Sequence, residues 1–529
     1  MMKKFFAFAF IVTALFGCSK ETDLSGIEQE LENLRNKNKE LQDEIDEMKK
    51  PVPEDPVLQY LNFLAQDNPD QLSSDVKGEI IGDSIVECWV PNVMDNKELI
   101  ADLKFVGENV KFNGSSVQSR STKCDFKKPV RLTITNQNKT KEYTIYVHAF
   151  TGLPVLWIET IDREPIASRE EYVSAIFKLV EDVRTRSAGD VIETSMLIKG
   201  RGNSNWAMPK KPYRLKLDNE YPLFGEHKDK AWVLIGNYPD KTMLRNSTAF
   251  YMSKISNLDY TPKAHYVEVM LNGRYNGTYQ LCEKLKRSKH RVDVGEDGFL
   301  LEVDAVAKSD DPVFRTAHLK HPINVKSPSV EVGDENYNYI KDFVLKAEST
   351  LFASNFKDTD EGWQKYMDMD SFVDWYLINE IARNNDALFY SSCYMNLTRD
   401  GKLKMGPVWD YDIAFGNINY NDNFKTNGFW IKNTTWYSRL FEDPAFVEKV
   451  KERFNYFYSH QEDIIREITE NAAYLRRAVV ENENRWGTLY TETWPNYDIW
   501  GNYNNEVESL KEWLKARFDW LNYQFSVKM

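Results

Sequence analysis

The apolar residues of this chain change their spacing along its length, and each spacing admits a different kind of structure. Phe5 to Phe16 is an apolar run of 12 residues, interrupted by Thr13 alone, behind Lys3 and Lys4. A helix of that length falls short of a ~30 Å hydrocarbon core, so the run reads as the h-region of an export signal. Leu24, Ile27, Leu31, Leu34, Asn38, Leu41, Ile45 and Met48 then follow alternately three and four apart. That is an a/d heptad seam with Asn38 on an a position, which predicts a short parallel coiled-coil stalk and a homo-oligomer. Pro51, Pro53 and Pro56 end the helix, and Val57 to Leu64 is expected as a short apolar helix within a linker over 51–72. Between 73 and 150 the spacing falls to two, as in Ser84–Val90, Val130–Thr135 and Tyr143–Val147. Short strands at such intervals predict a small Ig-like β-sandwich.

The apolar run ends in Leu15-Phe16-Gly17-Cys18, which resembles the bacterial lipobox. The expectation is a signal peptide over 1–17, lipid on Cys18 and a lipid-anchored stalk over 18–50. No later stretch is apolar enough to span a bilayer, so the lipid would be the anchor at the cell envelope, in the outer membrane. Ser19-Lys20-Glu21 resembles the surface-export tag of Bacteroidota lipoproteins. A net charge of −13 offers no basic field for nucleic acid, which is excluded as a main partner. Besides Cys18 there are four cysteines, of which Cys88 and Cys124 share the β region and are within reach of pairing. The seven histidines lack zinc-ligand spacing, and His290 and His321 read as structural.

Thr151-Gly152-Leu153-Pro154 reads as a junction, followed by an α/β region over 151–480 and an aromatic-rich helical extension over 481–529 that packs against it. Three segments carry chemistry. Lys199-Gly200-Arg201-Gly202-Asn203-Ser204-Asn205 is a Gly-interrupted turn, and Lys210-Lys211-Pro212-Tyr213-Arg214 leads into a strand bearing cations. Exposed N–H groups with Lys and Arg suit a phosphate cradle, although basic hairpins are common. Asn237 to Asn246 opens a helix with Arg245 in its first turns, and Gly277 to Glu283 ends a hairpin on a carboxylate. Finally, Asp386 precedes a hairpin, and Trp409-Asp410-Tyr411-Asp412-Ile413-Ala414-Phe415-Gly416 follows it. Protein kinases use that order: an Asp that takes the acceptor proton, a hairpin, then an Asp on Mg²⁺ before a Gly. Solvated or Ca²⁺-binding carboxylates at strand ends are the alternative.

In that order the five segments resemble the CotH family of spore-coat-protein-H-like atypical kinases. They are Arg201–Ser204, Lys210–Leu215, Asp240–Asn246, Gly277–Glu283 and Trp409–Gly416. The resemblance implies an α+β chain with a divergent, two-lobed, protein-kinase-like domain behind the stalk and the β-sandwich. It implies binding of ATP with Mg²⁺ or Mn²⁺ and phosphorylation of Ser or Thr on a protein substrate. Carried over by motif, Asp386 is the catalytic Asp and Asp410 the metal ligand, with Asp412 its rival. Arg201, Lys211 and Arg245 would face phosphates, and Glu283 would sit near the interlobe hinge, also at the nucleotide. Two other readings stand beside it: an inactive kinase-like scaffold that binds partners at the cell surface, and a glycan-acting enzyme using two carboxylates.

Overall fold

The computed structural model describes residues 25–48, 54–69, 71–72, 75–90, 98–149, 151–181 and 191–528, so the expected lipidation at Cys18 lies outside the described residues. Helix Ser25–Met48 exposes every side chain from Glu28 to Met48. Among the described residues no helix is long and apolar enough to cross a membrane.

The next unit is all β and begins at residue 57 rather than 73. Val57–Phe63 is a strand, not the short helix expected, and pairs antiparallel with Asp102–Val106. The register slips between Leu58 and Tyr60, so an extra residue separates the buried Leu58 and Leu61. A bulge of this kind turns a period of two into a spacing of three, which in sequence mimics a helix. A three-stranded sheet containing this strand and a six-stranded sheet containing Ile85–Val90 and Val130–Asn136 close over one core. Leu61, Phe63, Val86, Leu132 and Ile145 lie at its centre. Cys88 is buried in the larger sheet and Cys124 lies on the separate Glu98–Ile100/Lys123–Asp125 ribbon; both are free thiols, so the pairing does not form.

Seven strands between Val155 and Glu283 then form a closed barrel. Every second residue points inward: Val173, Ala175, Phe177 and Leu179 from one strand, Tyr213, Leu215 and Leu217 from another, Trp232 and Leu234 from a third. Trp89 of the first unit lies between His148 and the barrel's Tyr275, with ring centroids 4.1 and 4.4 Å away, and joins the two units.

Under this junction Glu268 is fully buried, accepting from Tyr275 OH (2.9 Å) and Thr151 N (3.3 Å). Burial raises its carboxyl from 4.5 to about 8, against the pull of those hydrogen bonds. A folded-state value above the unfolded one gives stability that is full below pH ~4.5 and is lost as pH rises through 8. The neighbouring Lys210, lowered to about 7 by burial, acts in the opposite sense above pH 7. Glu268→Gln removes the first effect and with it the charge that partly offsets the lowering of Lys210, which acts in the same direction. Its stability relative to wild type is expected to rise by about 2 kcal/mol between pH 6 and 8. Denaturant melts at the two pH values measure it, and a pH-independent difference would rule it out.

The remaining chain folds as one α/β body. Its sheet runs in the order Val313–Phe314, Ile323–Ser327, Phe299–Val303, Cys393–Leu397, Lys404–Met405. Helix Met369–Ala382 is apolar on most faces, and every residue from Ser371 to Ala382 is buried, so it forms the axis of the body. Helices Glu335–Leu351, Pro444–Ser459, Gln461–Leu475 and Tyr503–Tyr523 share its core, which includes Trp375, Trp436, Leu514 and Phe518. The C-terminal helix is therefore part of this core and not an appendage.

Candidate functional site

Where barrel and α/β body meet there is a cavity of about 1080 Å³. On the barrel side, strand Val191–Gly200 ends in Arg201-Gly202-Asn203-Ser204, which lines the cavity. Gly202 has φ +84°, a conformation that favours glycine. Gly200 lies so close to the Trp206 ring that a Cβ there would collide with it. Arg201 reaches the cavity with its guanidinium 5.5 Å from the Trp409 ring centroid.

On the other side, helix Met369–Ala382 stops at Arg383, whose φ is 46°. The Arg383 side chain donates to the carbonyls of Asn427, Gly428 and Asp422, which fixes the turn leading to Asp386. Asp386 lines the cavity and its Oδ2 accepts from Ser391 Oγ at 3.2 Å. Burial first, then the charge of Asp410, raises its carboxyl from 3.8 to about 7. Asp410 also lines the cavity and sits at φ 68°, a left-handed backbone that costs a non-Gly residue roughly 1–3 kcal/mol. Burial raises its carboxyl while Arg201 and Ser392 pull it down. Asp412 is buried behind it, where Asn205 Nδ2 donates to Oδ2 at 2.8 Å; burial and Asp410 raise it well above the usual range. Asp412 does not line the cavity, so the two rivals differ in access.

Lys211 and Arg245, expected at phosphates, and Glu283, expected near the interlobe hinge and at the nucleotide, all lie outside the cavity lining. Lys211 Nζ donates to Trp206 O at 2.6 Å and braces the Arg201 turn from behind. Arg245 is buried: Nη1 donates to Asp240 Oδ1 at 2.5 Å and Nε to Ala414 O at 3.1 Å. Its neighbour Asn246 accepts from Tyr411 N at 2.8 Å, so this helix start holds the Asp410–Asp412 loop rather than a ligand. Glu283 ends the last barrel strand, buried, accepting from Tyr260 OH and Lys263 N at 2.8 and 3.0 Å. In each case the side chain's hydrogen bonds are taken up by protein groups outside the cavity lining.

The cavity also gathers residues that motif reading missed. Lys326 Nζ lies 3.1 Å from Glu302 Oε2 and 3.8 Å from Asp304 Oδ2. Glu302 Oε1 accepts from Ser392 N at 3.2 Å, which ties this ion pair to the residue beside Asp410. A detectable signal existed: Glu302 interrupts the otherwise apolar strand Phe299–Val303, and a buried carboxylate there requires a partner. His321 lines the cavity edge-on to Tyr390, with ring centroids 5.0 Å apart, and His290 stacks on His227 at 3.9 Å outside it.

Among the described residues no three His, Cys, Asp or Glu side chains converge to hold a metal ion by themselves. Mg²⁺ commonly takes only one or two carboxylates and completes its shell with substrate phosphates and water. Asp410, the one of the pair that lines the cavity, fits such an ion as a single protein ligand.

A barrel carrying a Gly-containing basic turn thus faces an α/β body that carries one Asp before a hairpin and two after it. The chain belongs to the CotH kinase protein family, whose model matches residues 198–521. No curated protein matches it. Similar solved structures include a candidate glycoside hydrolase from Bacteroides thetaiotaomicron and a DUF4623 family protein from Bacteroides eggerthii. The first is 15% identical over 35% of this chain and 53% of its own length, with a TM-score of 0.15. The second is 12% identical over 31% and 47%, with a TM-score of 0.14. The chain thus spans about half of each, and similarity this slight does not bear on the fold.

Proposed function

We propose that the chain is an ATP-dependent protein Ser/Thr kinase with two lobes, the barrel and the α/β body, acting across the cavity between them. One observation carries the reading: Arg201, Asp386 and Asp410, distant in sequence, line the same cavity. In its charged form Asp386 accepts the proton of the acceptor hydroxyl, and Ser391 orients the carboxylate. Asp410 holds the divalent ion, with Asp412 and Asn205 fixing its loop from behind. Arg201 and Lys326 offer positive charge to phosphate oxygens, and Glu302 sets the position of Lys326. Bound ATP with Mg²⁺ or Mn²⁺ supplies the transferable phosphoryl group and neutralises its charge. We take residues 1–17 as an export signal and Cys18 as the lipidated residue, which holds the enzyme at the cell envelope, in the outer membrane. The 57–149 unit then serves as a β-sandwich spacer between the stalk and the catalytic lobes.

The test is transfer of labelled γ-phosphate from ATP with Mg²⁺ or Mn²⁺ to the chain itself or to a Ser-rich peptide. A nucleotide-dependent thermal shift without transfer would instead favour an inactive scaffold. Lys326→Ala removes one charge-assisted contact, which is worth ≈ 1.5–3 kcal/mol. It should lower kcat/KM for ATP by about tenfold or more in steady-state kinetics, with Lys211→Ala affecting it less.

A further inference from the structure

Helix Ser25–Met48 carries a stripe of large apolar side chains left exposed among the described residues: Leu31, Leu34, Leu41 and Ile45 are 40–51% exposed and Met48 74%. We infer that this stripe is the interface of a parallel, in-register homodimer. A second copy is singled out by two independent features. The first is Asn38. With Leu31, Asn38 and Ile45 on a positions and Leu34, Leu41 and Met48 on d positions, an antiparallel pairing in any register sets the Asn38 amide against an apolar d residue. A parallel pairing shifted by one heptad sets it against Leu31 or Ile45. Only the unshifted parallel pairing brings the two Asn38 amides together, where each satisfies the other; a buried amide without a partner is costly.

The second feature is charge. Residues on g positions face the e position five residues on in the other chain. In this register, within the described helix, Glu30 meets Arg35 and Lys37 meets Gln42, giving one attraction and no repulsion. The single a-position Asn, with Ile45 at a and Leu34 and Leu41 at d, favours two strands over three, Leu31 being the a residue of the stripe outside that pattern. The dimer sets two catalytic bodies side by side on one stalk, and it stands whether or not they transfer phosphate.

The test uses the full chain in detergent. Met48→Cys in a Cys124→Ser background is treated with a short bis-maleimide and compared with Asp43→Cys, an f position facing solvent. In the in-register dimer Met48→Cys gives a strong band at twice the 61.9 kDa chain mass, and Asp43→Cys stays near the parent background. In a fully overlapped antiparallel pair the two 48 positions would sit ~30 Å apart, beyond the reagent. Arg35→Glu should cut the yield at least twofold, and adding Glu30→Arg should restore it. Equal yields at 43 and 48, no rescue by the charge swap, or a sedimentation mass of one or three chains would each overturn the dimer.

Discussion

Asp386→Asn is expected to lower phosphate transfer by about 10²–10⁴-fold while nucleotide still shifts the melting temperature. The amide keeps the shape of the carboxyl and can still accept from Ser391, which donates to Asp386 Oδ2 at 3.2 Å. What it lacks is a lone pair basic enough to take a proton. The carboxyl is well suited to proton transfer, because burial and Asp410 bring it up to about 7, where it is readily charged at neutral pH yet still a usable base. Asp410→Asn separates the two roles. It should abolish the difference between melts with Mg²⁺-ATP and with ATP plus chelator, because Asp410, unlike Asp412, reaches the cavity. Equal labelling of wild type and Asp386→Asn would sink the kinase reading, and an Asp412→Asn variant that lost metal response while Asp410→Asn kept it would reverse the ligand assignment.

The same pair of carboxylates shows what sequence can reveal. Asp386 and Asp410 were picked out by chain order, an Asp before a hairpin and another after it, and both line the cavity; the roles proposed for them rest on that same order. Lys211, Arg245 and Glu283 sit in motifs of equal strength, but a motif does not say which way a side chain faces. Arg245 turns inward to Asp240 and the Ala414 carbonyl, and so supports the Asp410 loop from behind. Lys326 and Glu302 have no motif at all and arrive by sheet pairing, strand Phe299–Val303 lying between Ile323–Ser327 and Cys393–Leu397. Long-range pairing of that kind leaves no local spacing to detect. The strands Ile85–Val90 and Val130–Asn136 were legible through their period of two, whereas the bulge at Leu58–Tyr60 broke that period and disguised a strand. Closure into a barrel was not legible, because the parallel contact of Val155–Thr160 with Ala264–Leu271 joins segments more than a hundred residues apart.

Arg517→Met should destabilise the protein by about 3–5 kcal/mol, enough to lower the melting midpoint by roughly 10 °C. Arg517 is completely buried, and its Nη2 lies 2.6 Å from Glu380 Oε1 on the central helix. It donates further to the carbonyls of Glu380, Thr426 and Gly428. Glu380 in turn accepts from the backbone N–H groups of Trp430, Ile431 and Lys432. Methionine fills much of the same volume, so the loss is that of pairing: a carboxylate left buried without its cation and the Thr426 carbonyl without its donor, while Gly428 O keeps its bond from Arg383. The Glu380→Gln/Arg517→Met double variant should recover part of the loss, since no unpaired charge remains. The consequence reaches the cavity, because loop 426–432 runs directly into Asn433, Thr434 and Thr435 on its wall. The C-terminal helix, set apart by its aromatic content in sequence, thereby shapes the site, and a chain ending at residue 480 should fail to give soluble folded protein. A midpoint unchanged by Arg517→Met, or a stable protein ending at 480, would show that the helix is an appendage after all.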